Sequence, residues 1–195
     1  MSAIRAFIAV DLSPEIEERL EYITGQLKSR LPGVPVRWVP ASNVHLTLKF
    51  LGDVSTSNLE MLHGIIRTEA ERLAPFEISV GELGAYPSIH RPRVMWVGIE
   101  APIELDTLQN GIETETARLG YAREKRTFSP HLTLGRVSRN ASTQQVHQIA
   151  DVLCDCKVGF LGATRVQAVH LYRSDLRPQG AVYSRLFSAD LLVSD

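Results

Sequence analysis

The chain has 195 residues, 44% of them apolar and 22% charged, with a formal net charge of −1. That length suits one domain, or two small lobes sharing a core, spanning residues 1–195. The charge balance argues against a protein that coats nucleic acid by bulk charge, though not against recognition of a single nucleic-acid end. Residues 4–10 are apolar and are stopped by Asp11, so they read as a first buried strand rather than a signal peptide. Ser13-Pro14 then opens a helix whose apolar stripe is Ile16, Leu20, Ile23, Leu27 and Leu31. Residues 36–39 form a short strand, and 45–51 a second one that Gly52-Asp53 closes. Leu59, Leu62, Ile66, Ala70 and Leu73 mark a second helix, and residues 76–83 alternate as a strand.

Residues 84–88 read as a turn, residues 90–93 as a basic connector and residues 94–99 as a strand. Pro102 opens a third helix that Gly120 ends. A basic approach over 123–129 leads into a strand over 131–137, and Ser142 with Gln145 announces a fourth helix by a capping box. Three strands close the chain, around 158–160, 166–172 and 182–187, with 173–180 read as a long polar turn. Cys154 and Cys156 are the only cysteines, lack a C-x-x-C spacing, and are expected as free thiols. No apolar run approaches 18 residues, which argues against a transmembrane helix and makes a cytoplasmic location the expectation. Hairpin-like neighbours mixed with helices predict an α+β fold with mostly antiparallel sheets.

One tetrapeptide occurs twice: His45-Leu46-Thr47-Leu48 returns as His131-Leu132-Thr133-Leu134. On a strand, residues two apart share a face. His45 and Thr47 therefore oppose Leu46, Leu48 and Phe50. His131 and Thr133 oppose Leu132, Leu134 and, beyond them, Arg136. Core packing requires the leucines but not a second His and Thr, so the recurrence points to chemistry. Two imidazoles can serve as base and acid near neutral pH. Two hydroxyls can donate to the non-bridging oxygens of a phosphate, whose transfer depends on positioning and charge stabilisation. With no carboxylate or cysteine beside the histidines, the pattern does not resemble a metal ligand set, and no metal or cofactor is expected. Alternation also puts Lys49 on the His45–Thr47 face, where it could meet a phosphate. Phe7, Trp38 and Tyr172 could stack on a base, whereas core packing is the favoured reading for Trp96 and Phe50.

These motifs resemble the signature of the two-histidine (2H) phosphoesterase superfamily, and within it the RNA 2′,3′-cyclic phosphodiesterases, also called 2′-5′ RNA ligases (LigT-like). The resemblance is carried by Arg5-Ala6-Phe7-Ile8-Ala9-Val10-Asp11-Leu12, Arg37-Trp38-Val39-Pro40, His45-Leu46-Thr47-Leu48-Lys49-Phe50-Leu51-Gly52, Pro92-Arg93-Val94-Met95-Trp96-Val97-Gly98, Ser129-Pro130-His131-Leu132-Thr133-Leu134-Gly135-Arg136 and Leu171-Tyr172-Arg173-Ser174. It implies a bilobal α+β fold: two mostly antiparallel sheets with pseudo-two-fold symmetry around a central cleft, helices outside, and one motif in each of two interleaved lobes. It implies metal-independent hydrolysis of RNA 2′,3′-cyclic phosphate ends to 2′-phosphate, with 2′-5′ joining as a related activity. His45 and His131 would be the acid–base pair, Thr47 and Thr133 the phosphate donors, and Arg136 a further phosphate contact. The partners expected are RNA ends or nucleotides carrying a 2′,3′-cyclic phosphate, met by a monomer. The assignment of acid and base stays open, with His45 favoured as acid and His131 as base. Two alternatives compete: a nucleotide- or RNA-binding module of the same fold with little turnover, and a phosphodiesterase for another small cyclic phosphate.

Overall fold

A computed structural model describes residues 3–178 and 180–192. Along the chain come β1 (Ala3–Val10), α1 (Pro14–Arg30), β2 (Val36–Trp38), β3 (Leu46–Ser55), α2 (Leu59–Ala70), β4 (Phe76–Tyr86) and β5 (Val94–Glu100). Then follow α3 (Ile103–Arg118), β6 (His131–Val137), α4 (Thr143–Asp155), β7 (Phe160–Val166), β8 (Ala168–Arg177) and β9 (Gly180–Asp190). Local chemistry explains the helix ends. Pro14 opens α1, Glu15 and Glu17 sit in its first turn, and Lys28 and Arg30 in its last, which suits the helix dipole. In α4 the Ser142 hydroxyl accepts from the Gln145 amide, and the Gln145 side chain accepts from the Ser142 amide. Such a cap is worth about 1 kcal/mol.

The strands form two sheets, ordered β3-β1-β8-β9 and β2-β6-β5-β4-β7, and every described pairing is antiparallel. Helix α2 packs on β8 and β9, α3 on β3, and α1 against β7. The apolar stripes do this: Leu62 and Ile66 of α2, Leu105, Leu108 and Ile112 of α3, and Ile16, Leu20 and Leu27 of α1 are all buried. The sheets interleave the two halves of the chain. β1 and β3 are completed by β8 and β9 from the other end, whereas β5, β6 and β7 take in β2 and β4.

Several strands run further than their sequence boundaries, β7 and β9 among them. β3 continues through Gly52, whose φ of 71° is left-handed, to Ser55. β4 continues to Tyr86, and β8 runs through Arg173 to Arg177. The expected long polar turn is therefore a tight connection near Pro178; Gln179 lies outside the described residues. Polar residues suit these segments because pairing satisfies the backbone while the side chains face water.

Both repeated motifs carry the same irregularity. On β3, Leu46 pairs with Val10 and Thr47 with Ala9, but Ile8 then meets Lys49, so Leu48 is an extra residue. On β6, Leu132 pairs with Val97 and Thr133 with Trp96, but Met95 then meets Gly135, so Leu134 is the extra one. A β-bulge of one residue reverses the alternation beyond it. Phe50 comes opposite Phe7, and Arg136 opposite Val94 and Arg37, so both lie on the His–Thr face of their strands. Lys49 and Gly135 turn to the helix-covered face. Strict alternation had all three of Phe50, Arg136 and Lys49 on the wrong side.

Candidate active site

Each motif is anchored from behind by its leucines. Leu46, Leu48, Leu132 and Leu134 are all buried, and burying a leucine side chain contributes about 1.5–3 kcal/mol. That fixes the strand face, so the His and Thr side chains are held on the opposite one. His45 lies just before β3, after a 3-10 turn over Ala41–Asn43. Its ring stacks on Phe7 at 4.5 Å between centroids and 19° between planes, and meets the edge of Tyr183 at 5.2 Å. Burial in this aromatic nest pushes the His45 imidazole down to about 4, against the pull of a backbone hydrogen bond with Asn43 and the Asp11 carboxylate.

His131 is held differently but from the same relative position. Its Nδ1 lies 2.7 Å from the Ser129 carbonyl. A carbonyl only accepts, so Nδ1 carries the proton and Nε2 is the nitrogen left for chemistry. The backbone partner stands two residues before each histidine: Asn43 for His45, Ser129 for His131. Tyr86 presents its edge to the His131 ring at 5.1 Å and shares a 2.8 Å hydrogen bond with the Ser129 hydroxyl, while Trp96 stands 6.2 Å away. Trp96 thus lies on the His131–Thr133 face and is not core packing. Gly84 makes room for it, because a Cβ there would sit 2.3 Å from the indole.

Two observations bring the motifs together. The Val39 amide donates to the Leu134 carbonyl at 2.8 Å, and Val39 stands six residues before His45. Six residues, three of them in a 3-10 turn, reach less than about 20 Å. The second is Tyr183, whose ring touches His45 and Phe7 while its hydroxyl feels the charges of Arg136, Arg37 and Arg5. Burial raises the Tyr183 phenol, and those three arginines oppose the rise. Arg136 and Arg37 belong to one sheet and Tyr183 to the other, so Tyr183 links the surroundings of His45 to the strand that carries the second motif. Tyr183 did not stand out in the sequence, and Arg37 only as part of the stretch 37–40 and not as a site residue; the pairing of β2 with β6 and of β8 with β9 puts them here.

The four weaker sequence candidates are placed unevenly. Lys49 is 4% exposed, and its Nζ donates to Glu113 Oε2 at 2.8 Å and to the Ala122 carbonyl at 2.5 Å. It does not share the His45–Thr47 face, because the bulge at Leu48 turns it under the sheet. Trp38 pairs with Gly135 on the helix-covered side, packed against the core with the Lys28 ammonium over its ring, so it too is turned away from the His–Thr face. Phe7 is on the right face but 3% exposed, its ring against both His45 and Tyr172, which also stack on each other at 6.2 Å, and it supports the imidazole instead of offering a free surface. Tyr172 is half-buried and donates to Asp11 Oδ1 at 2.7 Å, while Arg185 bonds both Asp11 and the Tyr172 hydroxyl. Burial and the Asp11 bond push the Tyr172 phenol up to about 12. His45 lines a cavity of about 260 Å³, with Asp11, Tyr172, Tyr183 and Arg185 also in its wall.

Comparison with known proteins agrees with this doubling. A model of the family "LigT like Phosphoesterase" matches the chain twice, over residues 10–96 and 97–183. A protein of Methanothermobacter thermautotrophicus named RNA 2′,3′-cyclic phosphodiesterase is 35% identical, over 93% of this chain and 95% of its own. A crystal structure from Thermus thermophilus superposes with a TM-score of 0.79 at 27% identity, covering 96% of this chain and 98% of that one. Escherichia coli LigT complexed with 3′-AMP gives 0.75 at 28% identity, covering 97% and 99%. With one His-x-Thr motif in each matched half and the same fold around them, the chain belongs to the LigT-like phosphoesterase family.

Proposed function

We propose that this enzyme hydrolyses RNA 2′,3′-cyclic phosphate ends to 2′-phosphates, with His45 and His131 as acid–base pair. The observation that supports this reading is Tyr183, whose ring meets His45 while its hydroxyl lies in the field of Arg136, five residues past the second motif's histidine. In the reaction, one imidazole takes a proton from water as its oxygen attacks phosphorus. The other gives a proton to the 3′ oxygen as the P–O3′ bond breaks. Thr47 and Thr133 donate to the non-bridging oxygens, and Arg136 offsets their charge. The name of the Methanothermobacter relative and the 3′-AMP held by the Escherichia coli protein support this substrate class. A single chain carries both motifs, which supports action as a monomer, and the free thiols Cys154 and Cys156 suit a reducing cytoplasm.

Burial keeps His45 neutral in the unliganded chain, which is the state of a base and not of the acid favoured from sequence. A bound phosphodiester anion works the other way and favours the imidazolium. The test is hydrolysis of nucleoside 2′,3′-cyclic phosphates in EDTA. Wild type should turn over with a bell-shaped pH profile, and His45→Ala and His131→Ala should each lose about 10²–10⁴ in rate. Wild-type rates in both variants would reject the acid–base pair. Nucleotide binding with no cleavage by the wild type would favour a binding module.

A further inference from the structure

The two motifs are alike, but the residues that stand across from their histidines are not. Between β5 and β6, His131 pairs with Gly98. Between β1 and β3, Leu46 pairs with Val10, so Asp11, the next residue, stands at the level of His45. Each histidine also has a tyrosine against its ring, Tyr172 for His45 and Tyr86 for His131. The Tyr86 hydroxyl shares its hydrogen bond with Ser129, a neutral group, whereas the Tyr172 hydroxyl donates to the Asp11 carboxylate at 2.7 Å. Arg185 donates to Asp11 Oδ2 and also to the Tyr172 hydroxyl. His170, 6% exposed, stands with Nε2 3.5 Å from Asp11 Oδ2, and its Nδ1 shares a 2.9 Å hydrogen bond with the Ser188 hydroxyl. The carboxylate and His45 line one cavity, together with Glu17 of α1, Tyr172, Tyr183 and Arg185. Glu17 shares the sign of Asp11. Arg185 opposes it, as do Arg136, Arg37 and Arg5 about the Tyr183 hydroxyl. The Asp11 charge favours the protonated His45 imidazole, against the burial that disfavours it.

We propose that Asp11, oriented by Tyr172, Arg185 and His170, is a positioning residue for His45 that makes the two histidines electrically unlike. The inference rests on the phosphodiesterase reading and deepens it. Whether an imidazole gives a proton or takes one, it is an imidazolium on one side of the step. A carboxylate held in a fixed place nearby lowers the cost of that charge in a poorly solvated site. Through Tyr172 the same carboxylate steadies the ring that stacks beside Phe7 and His45. His131 stands opposite Gly98, and the tyrosine that borders it is bonded to a serine in place of a carboxylate.

The experiment follows both histidine rings by NMR in the protein saturated with a nucleoside 2′-monophosphate, whose anion favours the imidazolium and brings both titrations into a measurable range. Asp11→Asn should move the His45 titration about one pH unit lower and leave that of His131 in place. It should also lower kcat for a nucleoside 2′,3′-cyclic phosphate about tenfold with KM little changed. Asp11→Glu, which keeps the charge, should restore much of both. Arg185→Gln removes the cation that opposes Asp11 and should move the His45 titration higher, which keeps the test decisive if Asp11→Asn does not fold. An unmoved His45 titration in the folded variants would overturn the proposal. So would an equal displacement of both histidines, which marks a loosened fold. If wild type cleaves no cyclic phosphate, the functional reading falls. A displacement of His45 alone in Asp11→Asn then still upholds Asp11 as its positioning residue, and no displacement rejects it.

Discussion

An imidazole stacked on Phe7 and bordered by Tyr183 titrates near 4, whereas the same group in an unfolded chain titrates near 6.5. The folded value is the lower one, so His45 adds to stability above pH 6.5. That contribution is lost as the pH falls from about 6.5 toward about 4, where the unfolded chain binds a proton that the folded chain refuses. The loss is on the order of 2–3 kcal/mol. His170, also lowered by burial, works in the same direction and remains in a His45→Gln variant. Urea midpoints at pH 7 and pH 4.5 should therefore fall less in His45→Gln than in wild type. Equal falls would mean that the ring is not desolvated by its aromatic neighbours. At this scale the sequence was most legible where chemistry repeats: His45, Thr47, His131 and Thr133 announced themselves in pairs. Tyr183 has no twin, and it is placed by a pairing between strands that no local pattern records.

The strands teach a different lesson. Alternation identifies two faces only while the register holds, and each motif loses register at its second leucine. Lys49 is the clearest casualty of that rule. The bulge leaves its ammonium under the sheet, paired with Glu113 on α3 and with the Ala122 carbonyl at the start of the basic segment that leads to His131. The pair ties the first motif's strand to the approach of the second. Removing one member leaves a buried charge without its partner, which costs about 3–5 kcal/mol, while replacing both with apolar groups costs much less. Lys49→Met should lower the urea midpoint accordingly, and Lys49→Met with Glu113→Leu should recover much of it. A single variant as stable as wild type would show that the ion pair does not hold this segment. The helices were easier to read than the strands. Caps such as Ser142 with Gln145 and apolar stripes such as Leu105, Leu108 and Ile112 act within one element and need no partner to be recognised.

In the whole molecule the order of elements was readable and their pairing was not, because the pairing joins residues far apart in the chain. Phe7 meets Tyr172 and Phe76 meets Val166, separations that no local periodicity reports. The family model matches two successive halves, which invites the picture of two small domains in a row. The sheets contradict that picture. A cut in the connector between β4 and β5 would leave β1 and β3 without β8 and β9, and β5, β6 and β7 without β2 and β4. Each half would expose strand edges and the apolar faces they carry, and a two-stranded fragment with one face uncovered has little independent stability. Residues 1–90 and 91–195 expressed separately should each lack a cooperative urea transition. Mixed during refolding they should recover one transition, and with it hydrolysis of a cyclic phosphate, because both sheets and both motifs are then complete. The readout is circular dichroism against urea for each piece and for the mixture. A cooperative transition in either piece alone would show that its sheet does not need the strands lent by the other half. The interleaving would then be a late docking of preformed lobes rather than the condition on which the His45 and His131 faces are built.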